Sequence, residues 1–322
     1  MAKKAEKATK LVSGEKKKKQ KRVATWPFLV MLAPGFLVLL INNYIPMLGT
    51  IMAFQQYRYR DNFINSIINS EWVGFKNFEF LFRNPRLWET LRNTVAYNLV
   101  FIIMGMIIPV VVAIMLNEIR QPKLAKFYQT VLFLPYFLSW IVASYLVFAL
   151  FQTTGAINTM LMPLFGLEPV NWYGKVGAWP PLLVFLNAWK YTGYSAVIYL
   201  ASISGISQEY YESAMIDGAN KLQQAWYITV PLLRPIIIIL SLLAVGRIFN
   251  SDFGMFYNVP MGRSTLFPVT EVLDTFIYRA MRMATEFGMP VAASLFQSTV
   301  GFVLIIVANL IVRKIDPDSA LF

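Results

Sequence analysis

Two cations stand inside long apolar runs: Lys190 in "NAWKYTGYS" and Arg247 in "VGRIFNSD". A charge at membrane depth is costly, so such residues face a bundle interior or a water-filled cavity and find partners there. Asn187, Tyr191 and Tyr194 flank Lys190, and Asn250 and Asp252 follow Arg247. Polar groups so placed predict a pathway or cavity, and two cations near it add charge-assisted bonds to an anionic ligand. The competing reading is structural: Lys190 snorkels or pairs with Asp252, and Arg247 bridges to another subunit. Continued as one helix, the run places Arg247 roughly eleven residues, or about 16 Å, into the membrane and turns Asp252 about 140° away from it.

Other chemistries lack their residues. The chain has no His and no Cys. That removes imidazole metal ligands, Ser–His pairs, thiolates and disulfides together. No G-x-x-x-x-G-K-[ST] phosphate loop is present. No catalytic, metal-binding or cofactor-binding residue is therefore expected. An ion-coupled carrier needs acidic groups within its spans, and only Asp252 qualifies. That class, or a channel, is the more remote alternative; a neutral ligand in place of an acidic one is the nearer.

These residues need elements to hold them. The 322 residues are 57% hydrophobic and 14% charged, with mean hydropathy +0.52, far more apolar than a soluble domain. Six segments are long enough to span a bilayer at about 20 residues each: 27–51, 92–116, 128–150, 181–204, 236–257 and 292–312. The reading is an all-α integral membrane protein with six transmembrane helices. With the N-terminus inside, the inner segments carry 17 of the 29 Lys and Arg and the outer segments 10. This bias puts both termini in the cytoplasm. Ten of those cations lie in residues 1–25, a polar tail without periodicity. The net charge of +12 is thus a tail and topology signal, not a nucleic-acid surface; anionic lipid is a secondary partner for the tail. The outer segments are too short for an independent binding domain, so ligand capture falls to a separate protein. Segment 266–283 reads as one amphipathic helix, lying outside on the bilayer or folded back into the mouth.

The cytoplasmic segment 205–235 contains "YYESAMIDGANKLQQAWYITVPLLRP". Ser207 can cap a helix whose first turns hold Glu209 and Glu212. Tyr211, Ala214, Met215 and Gly218 fall on one stripe, which narrows to small residues and admits close approach of another surface. Gly218 suits the helix end. A second short helix, about 220–229, runs into Pro231, and Pro231 and Pro235 restrain the start of the next span. Acids at 209, 212 and 217 argue against a helix lying on an anionic bilayer and for a docking helix that meets a soluble partner.

Here the residues carry a resemblance. Glu212-Ser213-Ala214, three residues, Gly218, nine residues, Ile228, one residue and Val230-Pro231 resemble the EAA signature of ABC importer permeases, with Ser213 in place of Ala and Val230 in place of Leu. "NNYIPMLGTIMAFQQY" (42–57), "WVGFKNFEFLF" (72–82), "TEVLDTFIYR" (270–279) and "AASLFQSTVGFVLIIVANLIVRK" (292–314) are similar to carbohydrate-uptake permeases, more narrowly those for complex oligo- and polysaccharides such as alginate. The resemblance spans nearly the whole chain beyond residue 26. It implies the type I importer fold, a five-helix core plus one N-terminal helix, in the inner membrane of a bacterium. It also implies a coupling helix seated in a cleft of an ATPase subunit, involving Glu209, Tyr211, Glu212, Ala214, Met215, Asp217, Gly218, Ile228 and Pro231. By likeness to maltose permeases, the sugar path falls near Tyr136 and Trp140, Lys190 and Tyr194, and Arg247 and Asn250, with Asn187 beside them. The implied partners are a second, homologous permease in a heterodimer, two ATPase subunits that hold ATP and Mg, an extracytoplasmic solute-binding protein, an oligosaccharide and membrane lipid. The mechanism implied is alternating access.

Overall fold

The structure, a computed structural model, describes residues 26–59, 62–166, 168–283, 287–317 and 320–321. The basic tail expected over 1–25 lies outside the described residues. The chain divides into two compact units, residues 1–49 and 50–322.

In the first unit, α1 (Trp26–Leu39) runs into a widened turn at Leu40–Tyr44 and then Ile45–Met47. The Ile45 N–H bonds Leu40 O, five residues back. Pro46 follows at once and has no N–H to give, so the widened turn absorbs the missing bond. α1 buries none of its residues. A helix apolar all round is one built for lipid or for another chain.

The second unit is a helical bundle. A two-stranded antiparallel pair, β1 (Gln55–Gln56) and β2 (Glu71–Trp72), precedes α2 (Lys76–Arg83). α3 (Pro85–Asn117) follows, capped by the Asn84 side chain with Pro85 in its first turn. Its faces divide at helical spacing. Leu87, Thr90, Asn93, Thr94, Tyr97, Val110, Ala113 and Leu116 are buried, while Leu99, Ile103, Ile107, Val111 and Met115 recur every four residues on the exposed side.

α6 (Trp179–Ser204) is the central helix, packed on α3 and on α4 (Pro122–Phe137). It covers residues 181–204, where a span is expected. Among the described residues, five helical stretches are long and apolar enough to cross a membrane: Trp26–Phe54, Pro85–Asn117, Trp140–Leu161, Lys221–Val245 and Gly288–Ile315. α6 is 26 residues long but carries Asn187, Lys190 and Gly193 where the others carry apolar residues. Its central place explains that composition, because its polar groups meet protein rather than lipid. At Gly193 an added Cβ would lie 1.9 Å from Leu132 O of α4. Only Gly allows the two backbones so close.

Two expected spans are broken. The span at 128–150 divides into α4 and α5 (Trp140–Phe151), separated at Leu138–Ser139, with Ser139 capping Val142 N–H. Pro135 within α4 already removes one helical donor just before the break. The span at 236–257 starts earlier and ends sooner. The helix runs without interruption from Lys221 through a widened turn at Ala225–Thr229 into α8 (Val230–Val245). The second short helix at 220–229 is therefore the first part of this longer one. The Val230 N–H bonds Ala225 O, so the widened turn meets Pro231 as the turn at Leu40–Tyr44 meets Pro46. Past Val245 the chain leaves the helix until α9 (Phe253–Asn258). Arg247 thus sits in a turn, and the helical-wheel argument that set Asp252 apart from it does not hold.

Segment 266–283 also breaks. Short turns over Ser264–Leu266 and Phe267–Thr270 give way at Glu271–Val272, and α10 (Leu273–Met283) follows. Rather than resting on the bilayer, α10 folds inward: Leu273 and Ile277 join Leu87 and Ala293 in one buried cluster. The polar stripe of α3 secures the break. Asn93 donates to Pro268 O and Glu271 O, Tyr97 to Val269 O, and Thr94 Oγ1 accepts the Leu273 N–H at 2.8 Å. α11 (Gly288–Ile315) closes the bundle against α2, α8 and α10.

Candidate functional site: a cavity and an exposed hook

A cavity of about 650 Å³ lies between α3, α6, α8 and the irregular segment after Val245. Asn187, Tyr194, Arg247 and Asn250, four of the seven pathway candidates, share its wall with Asn98, Tyr191 and Asp252. Tyr136 adjoins that wall: its ring stacks on Tyr194 at 4.4 Å and 10°. Trp140 and Lys190 do not line the cavity.

Lys190 is 6% exposed and committed to the backbone. Its ammonium donates to Pro135 O, Tyr136 O and Leu138 O. These carbonyls lie at the end of α4, where a cation also meets the negative end of the helix dipole. Asp252 does the converse. Its Oδ1 accepts the Met255 N–H and caps α9, while Oδ2 accepts from Trp140 Nε1 and from the Tyr191 hydroxyl. The Lys190 ammonium also lies 5.1 Å from the Trp140 ring centroid. Both helix breaks therefore meet in one knot, each with a charge at its exposed helix end. Arg247 differs. Its side chain makes no hydrogen bond or ion pair among the described residues, and it is exposed in the cavity wall. Asn250 is exposed beside it.

On the hook, Ser207 caps Glu209 N–H, as its position predicts, and α7 covers Gln208–Ile216. Gly218 ends the turn at φ 81°. The Ala219 N–H reaches Ala214 O and the Gly218 N–H reaches Met215 O, a paired closure that requires the left-handed conformation. Asn220 and Gln223 cap the following helix reciprocally. The Tyr211 hydroxyl pairs with Thr229 Oγ1 at 2.9 Å, tying α7 to the widened turn below Pro231. Lys221 forms a 3.1 Å ion pair with Glu118, on the loop after α3.

The expected stripe splits. Tyr211 and Ala214 are half-buried and turn toward their own chain, as does Ile228, while Glu209, Glu212, Met215, Asp217, Gly218 and Pro231 are exposed. The outward apolar groups include Ile216 at 87% exposed, with Leu222, Trp226 and Tyr227. Sequence reasoning passed over Ile216 and Leu222, although single apolar residues in a charged segment were a usable signal. It also passed over Asn98 as a cavity residue. The signal for Asn98 was the spacing of "NTVAYN", polar at 93, 94, 97 and 98 inside an apolar run.

A bundle of interrupted helices around a polar cavity, with an exposed hook on one side, defines the transmembrane subunit of a transporter. Residues 99–319 match the family described as the binding-protein-dependent transport system inner membrane component, and the chain belongs to that family. It is 33% identical over 290 residues to the polygalacturonan/rhamnogalacturonan transport system permease protein YteP of Bacillus subtilis, covering 90% of this chain and 88% of that one. It superposes with TM-score 0.81 and 30% identity on a bacterial ABC transporter involved in import of the acidic polysaccharide alginate, covering 91% of this chain and 96% of that chain. A second structure, the alginate transporter in complex with alginate pentasaccharide-bound periplasmic protein, gives 0.80 and 30%, over 90% of this chain and 95% of that chain.

The chain is therefore a carbohydrate ABC importer permease of the type I fold. It is a multi-pass subunit of the inner membrane and works with a solute-binding partner. It has no ATPase site of its own; hydrolysis belongs to a partner subunit.

Proposed function

We propose that this chain forms half of the path of an ATP-driven importer for acidic oligosaccharides, uronate chains of the alginate or galacturonan kind. One observation carries the reading: Arg247, without an ion pair among the described residues, stands in the wall of the cavity beside Asn250, Asn187 and Tyr194. A cation facing a cavity in this way is free to make charge-assisted bonds to an anion that enters. YteP, by its name, serves polygalacturonan and rhamnogalacturonan, and galacturonate units carry carboxylates.

The same reading includes the remaining parts. A second, homologous permease supplies the other half of the path, and the extracytoplasmic binding protein delivers the sugar. Two ATPase subunits hold ATP and Mg, and each closes on a hook such as 205–235. The exposed side of α7, with Glu212, Met215 and Ile216, is the docking face. Tyr211, Thr229 and the rigid turn before Pro231 carry its movement into α8. The termini face the cytoplasm. A hook can shift the path only by the free-energy difference it experiences between two ATPase states, so firm attachment to α8 matters more than docking affinity.

A second reading, import of a neutral oligosaccharide, draws on Lys190. Its charge is spent on three carbonyls, and Asp252 adds a negative charge to the same wall. The test compares ATPase stimulation of the complete complex by binding protein loaded with oligogalacturonate, oligoalginate or arabinooligosaccharide. Stimulation by the uronates, reduced in Arg247→Gln with assembly intact, supports the acidic reading. Stimulation by the neutral sugar alone replaces it with the second.

A further inference from the structure

The chain between Val245 and Phe253 lies outside regular helix. In its first turn the Arg247 N–H bonds Ala244 O and the Ile248 N–H bonds Val245 O, each three residues back. Beyond that turn, side chains from three other helices hold it. Asn98 of α3 donates to Ile248 O at 2.8 Å and to Ser251 Oγ at 3.1 Å. Gln297 of α11, 4% exposed, donates to Phe249 O at 2.8 Å. Asp274 of α10 accepts the Ser251 N–H at 2.7 Å through Oδ2, and a bond from Gln297 at 3.2 Å through Oδ1.

The sides of the segment differ. Asp274 and Gln297 lie away from the cavity wall, whereas Arg247 and Asn250 are on it. Backbone groups of an interrupted helix can be satisfied by water from a neighbouring cavity. Here Phe249 O and Ser251 N–H are bonded to the protein on the far side instead. Such bonding fixes a register, because a shift of one residue would present Ile248 or Ser251 where Arg247 or Asn250 now stands.

We propose that Asp274 and Gln297 are positioning residues of transport. They clamp residues 246–252 so that Arg247 and Asn250 face the passing sugar. The proposal rests on the reading of the cavity as the sugar path. The two carboxylate oxygens of Asp274 serve different donors. Asn at 274 has one acceptor and must turn an N–H2 toward either Ser251 or Gln297, so Asp274→Asn keeps the volume and breaks the clamp. Gln297→Met keeps the length and leaves Phe249 O without its donor.

The test uses the complete complex in proteoliposomes, with its binding protein and with trigalacturonate or arabinotriose as probes. Assembly, melting temperature, ATP hydrolysis and sugar delivered per ATP are measured for each variant. The expected result is normal assembly and hydrolysis for Asp274→Asn and Gln297→Met, with sugar per ATP lowered about tenfold, the scale of one lost hydrogen bond to a charged group. Asp274→Asn added to Arg247→Gln or Asn250→Ala should give little further loss, since coupled residues are non-additive. Parental sugar per ATP in both clamp variants overturns the proposal. So do losses that multiply with those of the wall variants, or that track melting temperature and hydrolysis. Failure of the acidic reading looks different: Arg247→Gln then moves trigalacturonate as the parent does, and the clamp is judged on arabinotriose in the Asn250→Ala background.

Discussion

At the scale of single residues, the two cations that open the sequence reading part company. Lys190 closes the end of α4, so Lys190→Met leaves buried carbonyls without donors at about 1–3 kcal/mol apiece, reduced by whatever water enters. Its melting temperature should fall whatever sugar is offered. Arg247→Gln should leave melting unchanged and lower only the handling of uronates; equal melting losses in both variants would refute the division. Gly218 is a similar case. The bulk of a side chain is not its first problem, because nothing lies within 4 Å of an added Cβ. The problem is φ 81°, which costs a β-carbon residue roughly 1–2 kcal/mol. Gly218→Asn should therefore keep most ATPase association, since Asn tolerates this conformation, and Gly218→Val should lose it. Co-purification of the ATPase with each variant decides. If Val is tolerated as well as Asn, turn geometry is not what shapes the hook.

At the scale of elements, the sequence showed where the long apolar helices lie and hid where they break. Apolar runs locate α3, α6 and α11 well because burial in lipid or bundle is written in each residue. The breaks after Phe137 and Val245 are not so written. "LFLPYFLSWIV" stays apolar through its interruption, and the groups that make the break tolerable, Lys190, Asn98 and Gln297, are roughly 50 to 150 residues away along the chain. The hook was legible because its closure is local: Ser207, Gly218, Asn220 and Gln223 lie within a few residues of what they cap. Its attachment was not, since Tyr211 reaches Thr229, 18 residues on. That bond carries a prediction. Tyr211→Phe removes only the hydroxyl, at about 1 kcal/mol, and should leave ATP hydrolysis near normal while lowering sugar moved per ATP several-fold. An unchanged ratio would place the coupling elsewhere, for instance in the Lys221–Glu118 pair.

At the scale of the whole molecule, the proposed path has one wall here, and ATP hydrolysis belongs to a partner subunit. Reconstituted alone the chain should carry no sugar. Since it has no Cys, a single Cys placed at either end reports its side of the membrane without background. Both ends should be labelled only from the cytoplasmic side. The measurement that goes most directly to the central claim is uptake of labelled trigalacturonate into vesicles bearing the complete complex, with ATP supplied to the ATPase side and arabinotriose as the neutral control. The account predicts accumulation that needs ATP and the binding protein, favours the uronate, and falls about tenfold in Arg247→Gln, the scale of one charge-assisted bond. Uptake by this chain alone under a proton or sodium gradient, or uptake of arabinotriose with the uronate excluded, would contradict it.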